Sequence, residues 1–388
     1  MVMARSNDDL LRLGYFYPVS PLLTMTPSLR DRSPDVNDLK THVTLARHAE
    51  KIGLDYIFMF DRWETNGPRS RAAGVNNPVV FPMTLAAMML ASTERIGIAP
   101  TIHINYFAPV VIARMGANLD ALSGGRWAMN AVCGSGFDEG LVPEPARSLG
   151  HDERYDLGHE AMDIIKRLWR GERIDHKGKY FEVQGQLIDP LPVQDPHPMI
   201  INAGASPTGL DFAAAHADYT FYPGLAGVEK GAEFRRTLDS LVEKHGRRPQ
   251  DVKLQTSVGL VVRDSLDEAE AVRAELMAAV DLEIVREWAA SISSISQTFK
   301  DVIDSNDVEA EAELRRMGAG ASRMQLFGTA ESVAEQLVAM HRDYYVRGIV
   351  LDFLVRNPQE VLDFGAKVLP LLREAGVWEH PDVRGNSW

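Results

Sequence analysis

LSGGRWAMNAVCGSGFDE, residues 122–139, is the stretch from which the rest of the fold is read. Ser123, Gly124 and Gly125 stop a helix and turn the chain, because glycine takes the left-handed conformation that ends a helix without steric cost. Residues 126–133 then alternate bulky and small apolar side chains with one interruption, Asn130, before Gly134, Ser135 and Gly136 open a loop. This is a buried strand between a helix and a polar strand tip. A lone amide in such a strand needs a partner, since an unpaired buried polar group costs about 1–3 kcal/mol. In repeated β/α proteins, ligands sit at the C-terminal ends of the strands, which makes Asn130 and, nine places later, Glu139 the first candidates for ligand contact. The plainer alternative is that Asn130 bonds only to neighbouring backbone.

Working outward, residues 13–19, 54–61 and 96–104 read as buried strands, and 37–52, 81–93 and 110–122 as helices with apolar residues at helical spacing. Beyond the opening stretch, 157–170 is an amphipathic helix and 174–198 an irregular insertion whose HKGKYFEV pattern suggests a hairpin. Strands at 199–203, 219–222, 254–262 and 348–354 then alternate with helices at 207–216, 231–245, 266–279, 330–345 and 359–374. Near-continuous apolar strands are those of a parallel sheet covered on both faces. Eight of them predict an α/β fold of the closed (β/α)8 TIM-barrel kind, rather than an open doubly wound sheet, which needs a topological switch point. The expectation is one domain over residues 1–388 with insertions near 20–36, 62–78, 172–198 and 280–320.

Composition narrows the ligands. The 388 residues carry a net charge of −13 with no Lys/Arg-rich run, so a nucleic-acid backbone would be repelled and small molecules are expected. Cys133 is the sole cysteine, which excludes a disulfide framework and a Cys-rich metal cage and fits a reducing cytoplasm. The start, MVMARSNDDLLRLG, holds no apolar core of about 7–15 residues, so no signal peptide is expected. No run of about 18 apolar residues marks a membrane span.

Several familiar chemistries drop out. Gly134, Gly136 and Gly140 miss the dinucleotide fingerprint, because the third glycine is one place late and a loop follows. GASPTG, residues 204–209, is one residue too long for a nucleophile elbow, and no HExxH or Cys/His cluster exists, so no metal is expected. Read as a helix start, GASPTG says more. Gly204 turns the chain, Ser206 stands at the N-cap and Pro207 at the first helical position, leaving free N–H groups and the positive helix end outward. That is an anion site, or else an ordinary capped helix. HDERY, residues 151–155, lies just before a helix, where Arg154 and Tyr155 offer a charged fork and a phenol to a phosphate or a ring. Both clusters would meet at one barrel rim. Thr101 and His103 share a face of their strand and flank Asn130 on the next. Trp63, Tyr106 and Phe137 each follow a strand and could wall an apolar substrate pocket.

The runs LDALSGGRWAMNAVCGS, HDERYD, INAGASPTGLDFAAAHADYTFY and LFGTAESVAEQL, in that order, resemble the bacterial luciferase-like superfamily of flavin-dependent monooxygenases. The resemblance is nearest to the branch with the pyrimidine, dimethyl sulfone and dibenzothiophene sulfone monooxygenases. It implies an eight-stranded β/α barrel, reduced FMN delivered by a separate reductase that alone uses NAD(P)H, and O2 activated on the flavin of a cytoplasmic homodimer or dimer of dimers. Carried over by residue, Asn130 matches the asparagine at the flavin ring and Glu139 the acid that follows. Arg154 and Tyr155 match the Arg-Tyr pair, and Ala205-Ser206 the phosphate-contacting turn. Thr101 falls, without gaps, on the threonine that places oxygen near flavin N5, implying an N5-peroxide rather than a C4a-peroxide. Phe60 and Asp61 fall near the strand-two positions that touch the flavin, and His103 would donate a proton or hydrogen-bond the substrate. Ser257 and Gly259 stand where the alkanesulfonate branch carries Arg-x-His, which argues against a sulfonate. The loop with Arg62, Arg69 and Arg71 has no match and would carry selectivity. A small heteroaromatic amide or sulfone is the implied substrate. A deazaflavin-dependent dehydrogenase and a non-catalytic flavin-binding protein are the alternatives on the same barrel.

Overall fold

The computed structural model describes residues 9–134, 142–222, 228–292, 308–320 and 324–385. The chain opens with β1 (Arg12–Phe16), α1 (Leu39–Ile52), β2 (Tyr56–Met59), the short α2 (Pro68–Ala73), α3 (Pro82–Ser92), β3 (Gly97–His103), α4 (Pro109–Ser123) and β4 (Ala128–Val132). It continues through α5 (His151–Trp169), the hairpin β5 (Ile174–Lys177) and β6 (Glu182–Gln186), β7 (Met199–Asn202), α6 (Pro207–His216), β8 (Tyr219–Phe221) and α7 (Val228–Lys244). β9 (Lys253–Val262), α8 (Leu266–Ala278), α9 (Leu282–Ile292), α10 (Val308–Ala319), β10 (Met324–Gly328) and α11 (Ala330–Asp343) follow. β11 (Val346–Phe353), α12 (Pro358–Lys367), α13 (Leu369–Glu374) and α14 (Pro381–Arg384) end it.

β1, β2, β3, β4, β7, β8, β9 and β11 pair in that order, all parallel, and β11 returns to β1, so the ring closes. The (β/α)8 barrel expected from the sequence is the fold observed. Its helices start and stop where the local chemistry directs: the Asp38 side chain caps α1 by accepting from Lys40 N–H, and Gly53, at φ 94°, ends it. Tyr56, Phe58, Ala99, Ala128, Ile201 and Tyr219 fill the barrel interior. The alternate residues Ile57, Met59, Ile98 and Met129 join a larger core beneath the helices. Each strand is therefore apolar on both faces, which is why it reads as an unbroken run.

The departures from the sequence reading are instructive. β10 reads from sequence as no strand, yet it pairs with Val258–Val262 of β9 above the point where β8, paired with Lys253–Gln255, has ended. It is a ninth strand outside the ring. α5 begins at His151, not at 157, so HDERY is the first turn of a helix rather than the loop before it; Glu153 closes that turn by accepting from Gly150 N–H at 3.1 Å. Helix 359–374 is split in two, with Pro370 in the first turn of α13 unable to continue the hydrogen-bond ladder. The 62–78 loop contains α2. This six-residue helix is held from outside: the Glu287 carboxylate on α9 accepts from Arg69 N–H (3.0 Å), Ser70 N–H (2.8 Å) and the Ser70 hydroxyl (2.7 Å). Leu22, Met25, Val75, Val280, Ile284 and Leu314 form a second core joining the insertions to α8–α10. No described helix is long and apolar enough to cross a membrane.

One junction of the helical layer titrates. His216, at the end of α6, meets His159 of α5 at 2.8 Å (Nε2 to Nδ1), and its carbonyl accepts from the Lys166 ammonium at 3.0 Å. Burial, reinforced by the Lys166 charge, pushes the imidazole from its usual 6.5 down to about 2, and burial pushes Lys166 down to about 8. Below pH 6.5 the unfolded chain takes up a proton at His216 that the folded chain refuses, so stability falls as pH falls, at about 1.4 kcal/mol per pH unit. Between pH 6.5 and 5 this group alone should remove about 2 kcal/mol. Urea unfolding at pH 7 and pH 5 checks it: His216→Gln should lose about 2 kcal/mol less than the native chain, and an equal loss in both would refute the assignment.

Candidate active site

The C-terminal ends of the strands gather the site. Ala99, Thr101 and His103 follow one another on the inner face of β3, and Ala128 and Asn130 on that of β4. Thr101 lies directly opposite Asn130 in register, and the Asn130 amide donates from Nδ2 to Thr101 Oγ1 at 2.8 Å. Both are almost fully buried, at 4% and 3% exposure, and Asn130 Oδ1 has no hydrogen-bond partner among the described residues. The plain reading of Asn130 as bonded to backbone alone is thereby set aside. A buried acceptor left open at a barrel mouth is suited to a ligand N–H.

Beside it, the β7–α6 turn brings Ser206, Tyr155 and the start of α6 together. The Ser206 side chain caps α6 by accepting from Gly209 N–H at 3.0 Å, as the sequence suggested. Tyr155, in the first turn of α5, reaches across to hydrogen-bond Ser206, and burial pushes its phenol up to about 12, so it keeps its proton at neutral pH. Its hydroxyl enters a slot only glycines permit: a Cβ at Gly204 would lie 2.5 Å from it, and one at Gly209 2.7 Å. Asn202 ties the turn to β4, donating from Nδ2 to Ala131 C=O at 2.9 Å and accepting Gly204 N–H at 2.9 Å. Ala205 is exposed at the mouth. Arg154 donates to Leu149 C=O at 3.3 Å, and its Cδ stands 3.2 Å from where a Cβ on Gly134 would be. The two polar clusters therefore do meet at one rim. Cys133 beneath them is inert, since burial drives its thiol pKa far up.

The facing wall is aromatic. Trp63 packs against Tyr106 (5.8 Å between ring centroids) and Phe81 (5.6 Å), with Phe107 adjoining, and Phe60 stacks on Phe16 at 6.1 Å. His103 stacks on Tyr106 at 4.6 Å, and Asp61 Oδ2 lies 3.8 Å from its Nε2. Phe137 and Glu139 lie outside the described residues. Sequence reasoning missed Phe81, Phe107 and two asparagines. Asn105, 5% exposed with both amide atoms unpartnered among the described residues, abuts Gly134; Asn202 interrupts its strand just as Asn130 does, and that was its available signal. It also missed Asp352 and Arg356, a buried ion pair at 2.8 Å above β11, across the barrel from β4.

A cavity of about 1090 Å³ opens at the opposite end, where Met199, Tyr219 and Lys253 begin β7, β8 and β9. Two of the cations lining it are paired, Arg235 with Asp239 at 2.7 Å and Arg248 with Asp251 at 2.8 Å. In β/α barrels that end serves stability, and the chemistry lies at the other. Among the described residues, no group of three or more His, Cys, Asp or Glu side chains is placed to hold a metal.

The profile of the luciferase-like monooxygenases matches residues 13–347. The chain belongs to that family. This luciferase-like protein is accordingly a flavin-dependent monooxygenase. It is 27% identical over 354 residues to the FMNH(2)-dependent dimethylsulfone monooxygenase of Pseudomonas putida, covering 87% of this chain and 89% of that one. It is 28% identical over 384 residues to the pyrimidine monooxygenase RutA of Methylorubrum extorquens strain PA1, covering 96% of each. Among solved structures it resembles riboflavin lyase with modified FMN and riboflavin, with a TM-score of 0.82, 25% identity, and 96% and 93% of the two chains covered. An F420-dependent secondary alcohol dehydrogenase shares the fold alone, at TM-score 0.65 and 16% identity.

Proposed function

We propose that this luciferase-like protein binds reduced FMN, received from a separate reductase, and uses it with O2 to oxygenate a small neutral organic substrate, a heteroaromatic amide or a sulfone. The observation that carries the reading is the open Asn130 Oδ1, paired through its amide to Thr101 and lying beside the Tyr155–Ser206 cradle. An isoalloxazine ring offers N–H to the first, and its phosphate suits the second. Ser206, Tyr155, Arg154 and the N–H groups of the turn at Ala205 would hold the phosphate. Asn130 would orient the ring, with Phe60 against its edge. Reduced FMN, when held there, would supply the electrons for O2 activation, and Thr101 would face that chemistry from β3. Trp63, Tyr106, Phe81 and Phe107 would limit water in that space, and His103 stands one inward position above Thr101. Ser257 and Gly259 offer no cation for a sulfonate, and Asp352 neutralises Arg356, which supports a neutral substrate.

Anaerobic titration with photoreduced FMN and, in parallel, with reduced deazaflavin tests the reading. Micromolar or tighter FMNH2 binding, followed by oxygen consumption that depends on an amide or sulfone substrate, is expected. Preference for deazaflavin, or oxygen uptake no different from that of free flavin, would sink it.

A further inference from the structure

β11 alternates as a barrel strand must: Val350 joins Tyr56 and Phe58 in the interior, while Ile349, Leu351 and Phe353 pack beneath the helices. Asp352 therefore shares the inward side with Val350, near the C-terminal end of the strand, and is fully buried. Arg356 follows four residues later on a backbone held in place by its neighbours. Asn357 N–H donates to Val355 C=O at 2.9 Å, and the Asn357 side chain caps α12. The Arg356 guanidinium turns back to Asp352, with Nη2 2.8 Å from Oδ1 and the side chain 6% exposed. Its charge is matched, but its donors are not. Among the described residues, Nε, Nη1 and Nη2 form no hydrogen bond, so even the close Nη2 does not aim an N–H at the carboxylate. An arginine serving the fold alone would lay its fork on the acid, two parallel N–H groups on two oxygens. A buried guanidinium with open N–H groups instead calls for an acceptor.

Its place in the ring says which one. Only β1 separates β11 from β2. Leu351 lies opposite Tyr15, and the next residue of β1, Phe16, stacks on Phe60 just past the end of β2. The open donors thus stand one strand away from the aromatic side of the mouth. We propose that Arg356 is a specificity-determining residue that holds the substrate by an oxygen, its N–H groups donating to a sulfonyl or carbonyl oxygen of a neutral molecule. Asp352 supplies the counter-charge, so a carboxylate or sulfonate would meet repulsion as well as attraction there. The reaction this serves rests on the monooxygenase reading; the donor geometry does not.

The test titrates the native chain, labelled with 13C and 15N and with the Arg356 Nε–H signal assigned through the backbone, in the presence and absence of FMN. The probes are sulfolane against thiolane and 2-pyridone against pyridine, two pairs that differ in the acceptor oxygen. The Arg356 signal should move with the oxygen-bearing member of at least one pair and stay still with its counterpart at the same concentration. No movement with either oxygen-bearing probe, or equal movement with the counterparts, would overturn the proposal, and this needs no variant. Arg356→Lys keeps the positive charge beside Asp352. For an oxygen-bearing substrate its KM should rise at least about tenfold with kcat within about threefold, and FMNH2 affinity should stay within about twofold. A lowered urea midpoint with native KM would make the pair purely structural and end the proposal. If the native chain oxygenates nothing, the proposed function fails, while the titration still decides whether Arg356 binds an acceptor oxygen.

Discussion

The double variant Thr101→Val/Asn130→Leu should be as stable as the native chain, or more so, and turn over at least about 100-fold more slowly. Asn130 and Thr101 are joined by one hydrogen bond, but Asn130 Oδ1 is buried without a partner among the described residues. Such an atom costs about 1–3 kcal/mol in the ligand-free protein. Removing both polar groups for shapes of similar size deletes that cost together with the bond. Either single change strands the other member, so Thr101→Val and Asn130→Leu should each destabilise by about 1–2 kcal/mol. Urea unfolding and steady-state turnover on the four proteins distinguish the outcomes. A double variant less stable than both singles would show that the pair serves the fold, and native turnover in it would remove both residues from the site.

Gly209→Val should abolish the preference for FMN over riboflavin. A Cβ at this position would lie 2.7 Å from the Tyr155 hydroxyl and 2.9 Å from Gly204 Cα, so the helix start and the phenol cannot both stay in place. The loss falls on the phosphate alone. Reduced FMN should bind about 100-fold more weakly, since two or more charge-assisted hydrogen bonds at about 1.5–3 kcal/mol each are removed, whereas reduced riboflavin should change by less than about threefold. Ser206→Ala, which leaves the slot intact, should cost about tenfold. Titration of each variant with both flavins reads the effect. Equal weakening of FMN and riboflavin would place the phosphate elsewhere.

Some of this site was legible in the chain. Asn130, Thr101, Ser206 and Tyr155 stood out because each breaks a local pattern, an amide or hydroxyl in an apolar strand or a capping residue before proline. Asn105, Phe81 and Phe107 broke none. An asparagine in a turn and a phenylalanine beside a helix are what those places ordinarily hold, and only their convergence on Gly134 and Trp63 marks them. Asp61 shows the same limit, because the sequence could set it at the end of a strand but not 3.8 Å from His103.

The sequence by itself determined the barrel, its strand order and the Ser206-capped helix start. Apolar period, glycine stops and N-cap chemistry act over a few residues and need nothing distant to take effect. Only the tertiary structure decided α2, β10 and the start of α5. α2 exists because Glu287 satisfies its first N–H groups from another helix, and β10 because β9 outruns β8 and leaves an edge to be paired. α5 begins early through the local Glu153–Gly150 cap, and only the fold shows that this start carries Tyr155 into the slot between Gly204 and Gly209. In α2 and β10, backbone groups find their partners in segments far away along the chain. Local propensity has no access to such contacts, and so the folded barrel alone settles them.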